Sequence, residues 1–422
     1  MERLIRWVAV AVLVGLPVSW ASAADDYGYP LRDRFLATVV GTPAQFQAEL
    51  PEKIPFRSRT ITIFENREVP DALFYDAEMR YSAALQRGRA PVMFLIAGTG
   101  AAHNGGKNLF MAKAFYEQGF HVISLSSPTF LNFVTSASAT GVPGHAQKDA
   151  EDLYRAMQKV VADLDVESSG YYLTGYSLGG FNAAFVSHLD RERQAFNFER
   201  VLLINPPYSI YNSISLLDRM IENIPGGEDN FSLFFDRVVR TFSDVYKRQD
   251  SVDFGEEFLV AVFSAMQPKD EELAALIGLA FRLSSSSMLM ASDIITDFGF
   301  VKPKGVEVTR VSDLTKYRQV VTRVGFTDFY HEFFYPFYKD DFPGMDRDDF
   351  INSMSLATIA DFLRDSSNIK VMHNEDDVIL EPGEINFFRE TFGDRAKIYP
   401  VGGHLGNMQY RDNVAHMVGV FK

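Results

Sequence analysis

Gly175-Tyr176-Ser177-Leu178-Gly179 forms a G-x-S-x-G pattern. This spacing presents a serine hydroxyl as a nucleophile toward a carbonyl carbon. A chain of this length holds such a match by chance about one time in seven, so the surroundings decide its meaning. A short apolar strand, 171–174, runs into the motif, and an Ala-rich helix, 181–188, runs out of it. A nucleophile on so tight a turn adopts strained φ/ψ angles, and side chains two residues away would collide. Glycine at 175 and 179 removes those side chains, and Gly180 lets the following helix approach the sheet. The strand–turn–helix setting favours a working nucleophile over an idle serine on a glycine-rich turn.

The elements around the motif alternate in type. Segments 58–64 and 78–85 read as two antiparallel strands. Residues 91–96 and 119–125 are continuous apolar runs, as are 171–174 and 201–204, and each reads as a strand buried on both faces. Helices are predicted over 112–118 and 147–164, the second with Leu153, Met157, Val160, Val161 and Leu164 on one face. Near the C-terminus, strands at 369–372 and 397–399 flank a helix at 384–391, and a terminal helix follows. Strand and helix alternation over 91–207 and 368–422 predicts an α/β fold with a doubly wound, mostly parallel sheet. Between these blocks, 213–223, 230–247, 254–266 and 271–283 show helical periodicity with no convincing strand. The expected organisation is a core of 24–209 and 367–422 with a helical insertion at 210–366, after the sixth strand. The run Ser284–Ser287 is expected at a helix end or in a loop.

With these elements the chain resembles the α/β-hydrolase fold family over 58–207 and 368–422. The helical block sits where that family carries its cap. The family order of Ser, then Asp or Glu, then His implies partners downstream at strand ends. After strand 369–372 comes Glu375-Asp376-Asp377-Val378-Ile379, where the family's carboxylate before a short apolar stretch selects Asp377, with Asp376 as the alternative. Strand 397–399 leads into Gly402-Gly403-His404, which resembles the family's Gly-Gly-His loop and implies His404 as the base. Two oxyanion-hole amides are implied: Leu178, and Thr99 with Gly100 as alternate, on the loop after strand 91–96. That loop reads Ala97-Gly98-Thr99-Gly100 and lacks the histidine the family often carries there. The implied chemistry is acyl transfer through an acyl-enzyme, without a cofactor.

Composition narrows the alternatives. The 422 residues contain no cysteine, which excludes disulfides, thiolate metal sites and cysteine catalysis. A formal charge of −14 argues against nucleic acid as a partner. No metal-ligand motif such as H-E-x-x-H occurs, and 100–108 fails the phosphate-loop pattern at Ala101 and Asn108. Arg3 and Arg6 precede an uncharged run, Trp7–Val18, and Ala21-Ser22-Ala23 follows as a cleavage pattern. Twelve apolar residues span roughly 18 Å as a helix, against about 30 Å of hydrocarbon. Residues 1–23 are therefore expected to be a signal peptide cleaved after Ala23, directing the chain to the periplasm or outside. No other stretch is expected to span a bilayer.

There are 37 phenylalanines against 2 tryptophans, and they are densest in the insertion. Helix-spaced aromatics are more often core than contacts, so the first expectation is a subdomain core. The functional expectation is an apolar pocket for a bulky or lipid-like ester. Amide, peptide or thioester cleavage, acyl transfer, and a non-catalytic binding role are the alternatives. A peptidase would need insertion carboxylates near the substrate amine, for which Glu222, Glu256, Glu257 and Glu272 are candidates.

Overall fold

A computed structural model describes residues 27–247 and 263–422. The signal-peptide expectation and most of the 254–266 helix lie outside the described residues. Eight strands form one sheet: β1 (Arg57–Ile61), β2 (Met79–Ala84), β3 (Ala90–Ile96), β4 (His121–Leu125), β5 (Ser168–Tyr176), β6 (Arg200–Ile204), β7 (Ile369–Asn374) and β8 (Ala396–Tyr399). Their spatial order is β1-β2-β4-β3-β5-β6-β7-β8. β2 runs antiparallel to both of its neighbours, and every pairing from β4 to β8 is parallel. All five residues of β4 are buried, as are the last five of β3, because helices cover both faces of the sheet.

The helices used below are α1 (Arg34–Val40), α2 (Gly106–Glu117), α3 (Ala146–Leu164), α4 (Leu178–Arg193), α5 (Ile210–Met220), α6 (Phe231–Lys247), α7 (Asp270–Thr296), α8 (Glu384–Phe392) and α9 (Arg411–Gly419). α3, α4 and α8 share one core with the sheet, through residues such as Leu153, Phe181 and Phe388. α2 and α9 share the core on the other face, through Phe115 and Met417. α2 begins six residues earlier than the sequence suggests, because Gly105 caps it in extended backbone and the Gly-Lys-Asn start is absorbed into the helix.

Between β6 and β7 the described elements are helical. Their largest cluster is aromatic: Phe329, Phe333, Phe334, Tyr338 and Phe350 pack with Val134, on a short helix (Leu131–Ser136) beyond β4, and with Val142 in the loop after it. Leu356, Ile359, Phe362 and Leu363 instead join the sheet core, so packing of the core resumes before residue 367. Two expectations are corrected by α7. The serine run lies in the middle of this 27-residue helix rather than at its end. Its small side chains let the helix backbone pass against Gly100, where a Cβ would collide with Ser284. The segment Glu271–Thr296 is also long and apolar enough to cross a membrane, contrary to the reading that no such stretch follows the leader. In the fold it is a packed helix, running beside α1 and α5 with Ala275, Leu279 and Ala291 buried.

Candidate active site

β5 ends at Tyr176, and Ser177 sits at φ 55°, ψ −128° before α4 begins at Leu178. This backbone conformation strains any residue with a Cβ, and the surroundings hold it in place. The Ser177 amide donates to the Ile204 carbonyl over 2.8 Å. A Cβ on Gly175 would strike the Gly179 carbonyl, and one on Gly179 would strike the Ile96 and Ala97 carbonyls. The steric reading of both glycines is thus a feature of the structure. β3 and β5 pair Ile96 with Gly175, which brings the loop after β3 beside the turn. There Gly98 abuts Tyr176 and the Ser177 Cβ, leaving no room for a side chain.

His404 arrives from the loop after β8 and Asp377 from the loop after β7. His404 Nε2 lies 2.9 Å from Ser177 Oγ, and His404 Nδ1 lies 3.0 and 3.1 Å from the two Asp377 oxygens. All three residues are buried. Asp377 also accepts from Asn205 Nδ2 at 2.8 Å and from the Ile379 amide at 3.1 Å. Burial alone would raise the Asp377 pKa, but the facing His404, with His373 and Asn205, holds it below the usual carboxylate value. An ionised Asp377 makes Nδ1–H the donor, so Nε2 is left to accept the Ser177 hydroxyl proton.

Asp376 does something else. Its carboxylate accepts the Gly402 and Gly403 amides at 3.2 and 2.9 Å, tethering the loop that carries His404. His373 lies 3.6 Å from Asp377. It is buried, and desolvation lowers its pKa; its Nε2–H donates to the Pro206 carbonyl and its Nδ1 accepts from the Asn374 amide.

The Leu178 and Thr99 amides have no hydrogen-bond partner among the described residues, and both residues line the same pocket as Ser177. The Gly100 amide is committed, donating to Thr129 Oγ1 at 2.8 Å, which corrects its place as alternate donor. The pocket is open to solvent at its mouth. Phe281, Phe326, Phe329 and Phe334 line it together with Met288 and Ile214. The aromatic excess thus divides. Phe298 and Phe333 pack on one another with centroids 4.7 Å apart, while Phe326, Phe329 and Phe334 also face the space beside Ser177. Among the described residues no group of side chains could hold a metal ion.

Sequence reasoning missed the braces of the histidine loop. Thr38, on α1, accepts the His404 amide at 2.9 Å through Oγ1 and donates to the Arg34 carbonyl at 2.6 Å. Gly403 and Gly406 pack so tightly on α1 that a Cβ at either would strike its backbone carbonyls. Asn374 Nδ2 donates to the Gly403 carbonyl at 2.7 Å and faces Asn407. Asn205 and Asn374 lie at the C-terminal ends of their strands, a position that could have marked them. Thr38 carries no such signal.

A single antiparallel β2 within an otherwise parallel order, the sharp turn after β5 and the Ser177–His404–Asp377 constellation define an α/β-hydrolase-type architecture. No family model matches the chain, and no curated protein matches it. Among solved structures it is similar to a membrane phospholipase A described as a bacterial virulence factor. The identity is 14% and the TM-score 0.43, over 100% of this chain and 98% of that one. It is similar to an esterase of Pyrococcus furiosus, with 9% identity and a TM-score of 0.42 over 87% and 90% of the two chains. It is also similar to a thioesterase domain from the curacin biosynthetic pathway, with 11% identity and a TM-score of 0.39 over 87% and 99%.

Proposed function

We propose that the chain is an exported serine hydrolase that cleaves carboxylic esters with an apolar acyl group. The observation that carries this reading is the 2.9 Å approach of His404 Nε2 to Ser177 Oγ beside a pocket walled by phenylalanines. In the first step His404 takes the hydroxyl proton as Ser177 Oγ attacks the ester carbonyl, and Asp377 stabilises the imidazolium. The Leu178 and Thr99 amides receive the developing oxyanion. Collapse expels the alcohol, protonated by His404. In the second step a water, deprotonated by His404, attacks the acyl-enzyme and returns Ser177 with release of the acid.

The peptidase reading draws no support from the pocket. Among the described residues no carboxylate lines it, Glu222 is exposed, and Glu272 pairs with Arg237 and caps α7, while Glu256 and Glu257 lie outside the described residues. Export rests on the leader pattern of residues 1–23, and a mature N-terminus at Ala24 in the periplasmic or secreted fraction is its test. The activity is tested with a fluorophosphonate probe and aryl esters of graded acyl length. Covalent labelling of Ser177 and turnover that rises with chain length are expected. No labelling, or turnover that persists in Ser177→Ala, would sink the enzyme reading, and a preference for acetyl would sink the apolar-acyl part.

A further inference from the structure

Three consecutive serines on α7 dispose of their hydroxyls differently. Ser284 Oγ donates to the Phe281 carbonyl at 2.7 Å, and Ser286 Oγ donates to the Leu283 carbonyl at 2.8 Å. Both are satisfied within the helix, as serines in helices usually are. Ser285 is 1% exposed, and its Oγ has no hydrogen-bond partner. It lines the pocket that contains Ser177, Thr99 and Leu178. The rest of that wall is mostly hydrocarbon, and leaving a hydroxyl unpaired there is costly.

Its place along the pocket is defined by its neighbour. The Ser284 backbone packs directly on Gly100, the residue after the Thr99 amide. Ser285 directly follows Ser284 on the same helix, its Cα ~3.8 Å from that of Ser284. A partner for its hydroxyl therefore belongs near Thr99, at the reacting end of a bound acyl chain.

Resting on the ester-hydrolase reading above, we propose that Ser285 is a substrate-binding residue and that the acyl group carries an oxygen substituent, a hydroxyl or a carbonyl, on one of its first carbons. The hydrocarbon tail fills the aromatic part of the pocket. The substituent pairs with Ser285 Oγ, which is otherwise left dry.

The test compares 4-nitrophenyl octanoate with its 3-hydroxy counterpart. Both are measured by turnover on wild type and Ser285→Ala, and by calorimetric binding in Ser177→Ala and in Ser177→Ala/Ser285→Ala. Wild type is expected to favour the hydroxylated ester roughly three- to tenfold in kcat/KM, with a similar ratio in affinity. In Ser285→Ala both ratios are expected to fall to one or below. A binding ratio unchanged by Ser285→Ala overturns the proposal, as does a wild-type preference for the plain chain. Binding is read without catalysis, so absence of turnover on both esters would count against the ester reading and leave the binding ratio to decide on Ser285.

Discussion

Two buried carboxylates lie near the pocket, and burial has opposite outcomes for them. Asp377, at the end of β7, is met by the His404 ring, the Asn205 amide group and the Ile379 amide. Its pKa is lowered although desolvation pushes it upward. Asp149, on α3, is as deeply buried, but the Gly144 amide at 2.9 Å is its single donor among the described residues. Desolvation therefore wins, with the nearby Asp152 adding to it, and the Asp149 pKa stands well above the usual value. The surroundings repeat the contrast. Around Asp377 the polar atoms of His373 and Asn374 are paired. Beside Asp149 the His145 ring stacks on Phe342 with neither nitrogen partnered, and burial lowers its pKa to about 4. The strand ends hold charge in place with several donors; the aromatic wall is a medium that suppresses charge.

The largest expected effects fall on the charged side of this contrast. Ser177→Ala is expected to lower kcat roughly 10⁴-fold or more on aryl esters, with the thermal midpoint close to wild type. Asp377→Asn is expected to cost about 10⁴-fold, because an amide cannot stabilise the imidazolium. Asp376→Asn keeps an acceptor for only one of the Gly402 and Gly403 amides, which bind different carboxylate oxygens, and is expected to cost about tenfold. Steady-state kinetics of the pair checks the assignment, and a larger loss in Asp376→Asn would reverse it.

The histidine loop extends the contrast to a neutral brace. Thr38→Val removes the hydroxyl that accepts the His404 amide while keeping its shape. We expect kcat to fall about tenfold with KM nearly unchanged, and Thr38→Ser to restore most of it. A fall in KM and kcat together, or no rescue by serine, would make Thr38 a packing residue only.

What could be read from the sequence follows how locally each feature is encoded. The strands and the turn at Ser177 come from contiguous runs: alternating residues for β1 and β2, apolar runs for the parallel strands, then glycines whose absent side chains are demanded by neighbours in the chain or sheet. Asp377 and His404 follow from the family resemblance, which sets their order along the chain, although Asp376 and Asp377 differ in which way each side chain points. The bracing by α1 was not legible, because Thr38 and His404 are 366 residues apart and nothing periodic marks 27–57. The serine run was misread for a related reason. Serine favours helix ends by local propensity, and the close passage of α7 over Gly100 that rewards small side chains is a tertiary contact.

The smallest expected effect tests the uncharged side directly. Asp149 binds its proton more tightly in the fold than in the unfolded chain, because its pKa is raised above the ordinary 3.8. Its contribution is therefore fully present below about pH 4 and is lost as pH rises through the folded pKa. Asp149→Asn keeps an oxygen for the Gly144 amide and removes the charge that desolvation opposes. The variant is expected to melt about 2 °C or more above wild type at pH 8, with the gain shrinking toward zero near pH 4.5. Thermal melts at the two pH values decide it. A midpoint that falls at pH 8 would mean that Asp149 is carried as a stabilised anion like Asp377, and a gain of equal size at both would mean that its charge is not the cause; either outcome removes the contrast between the two carboxylates.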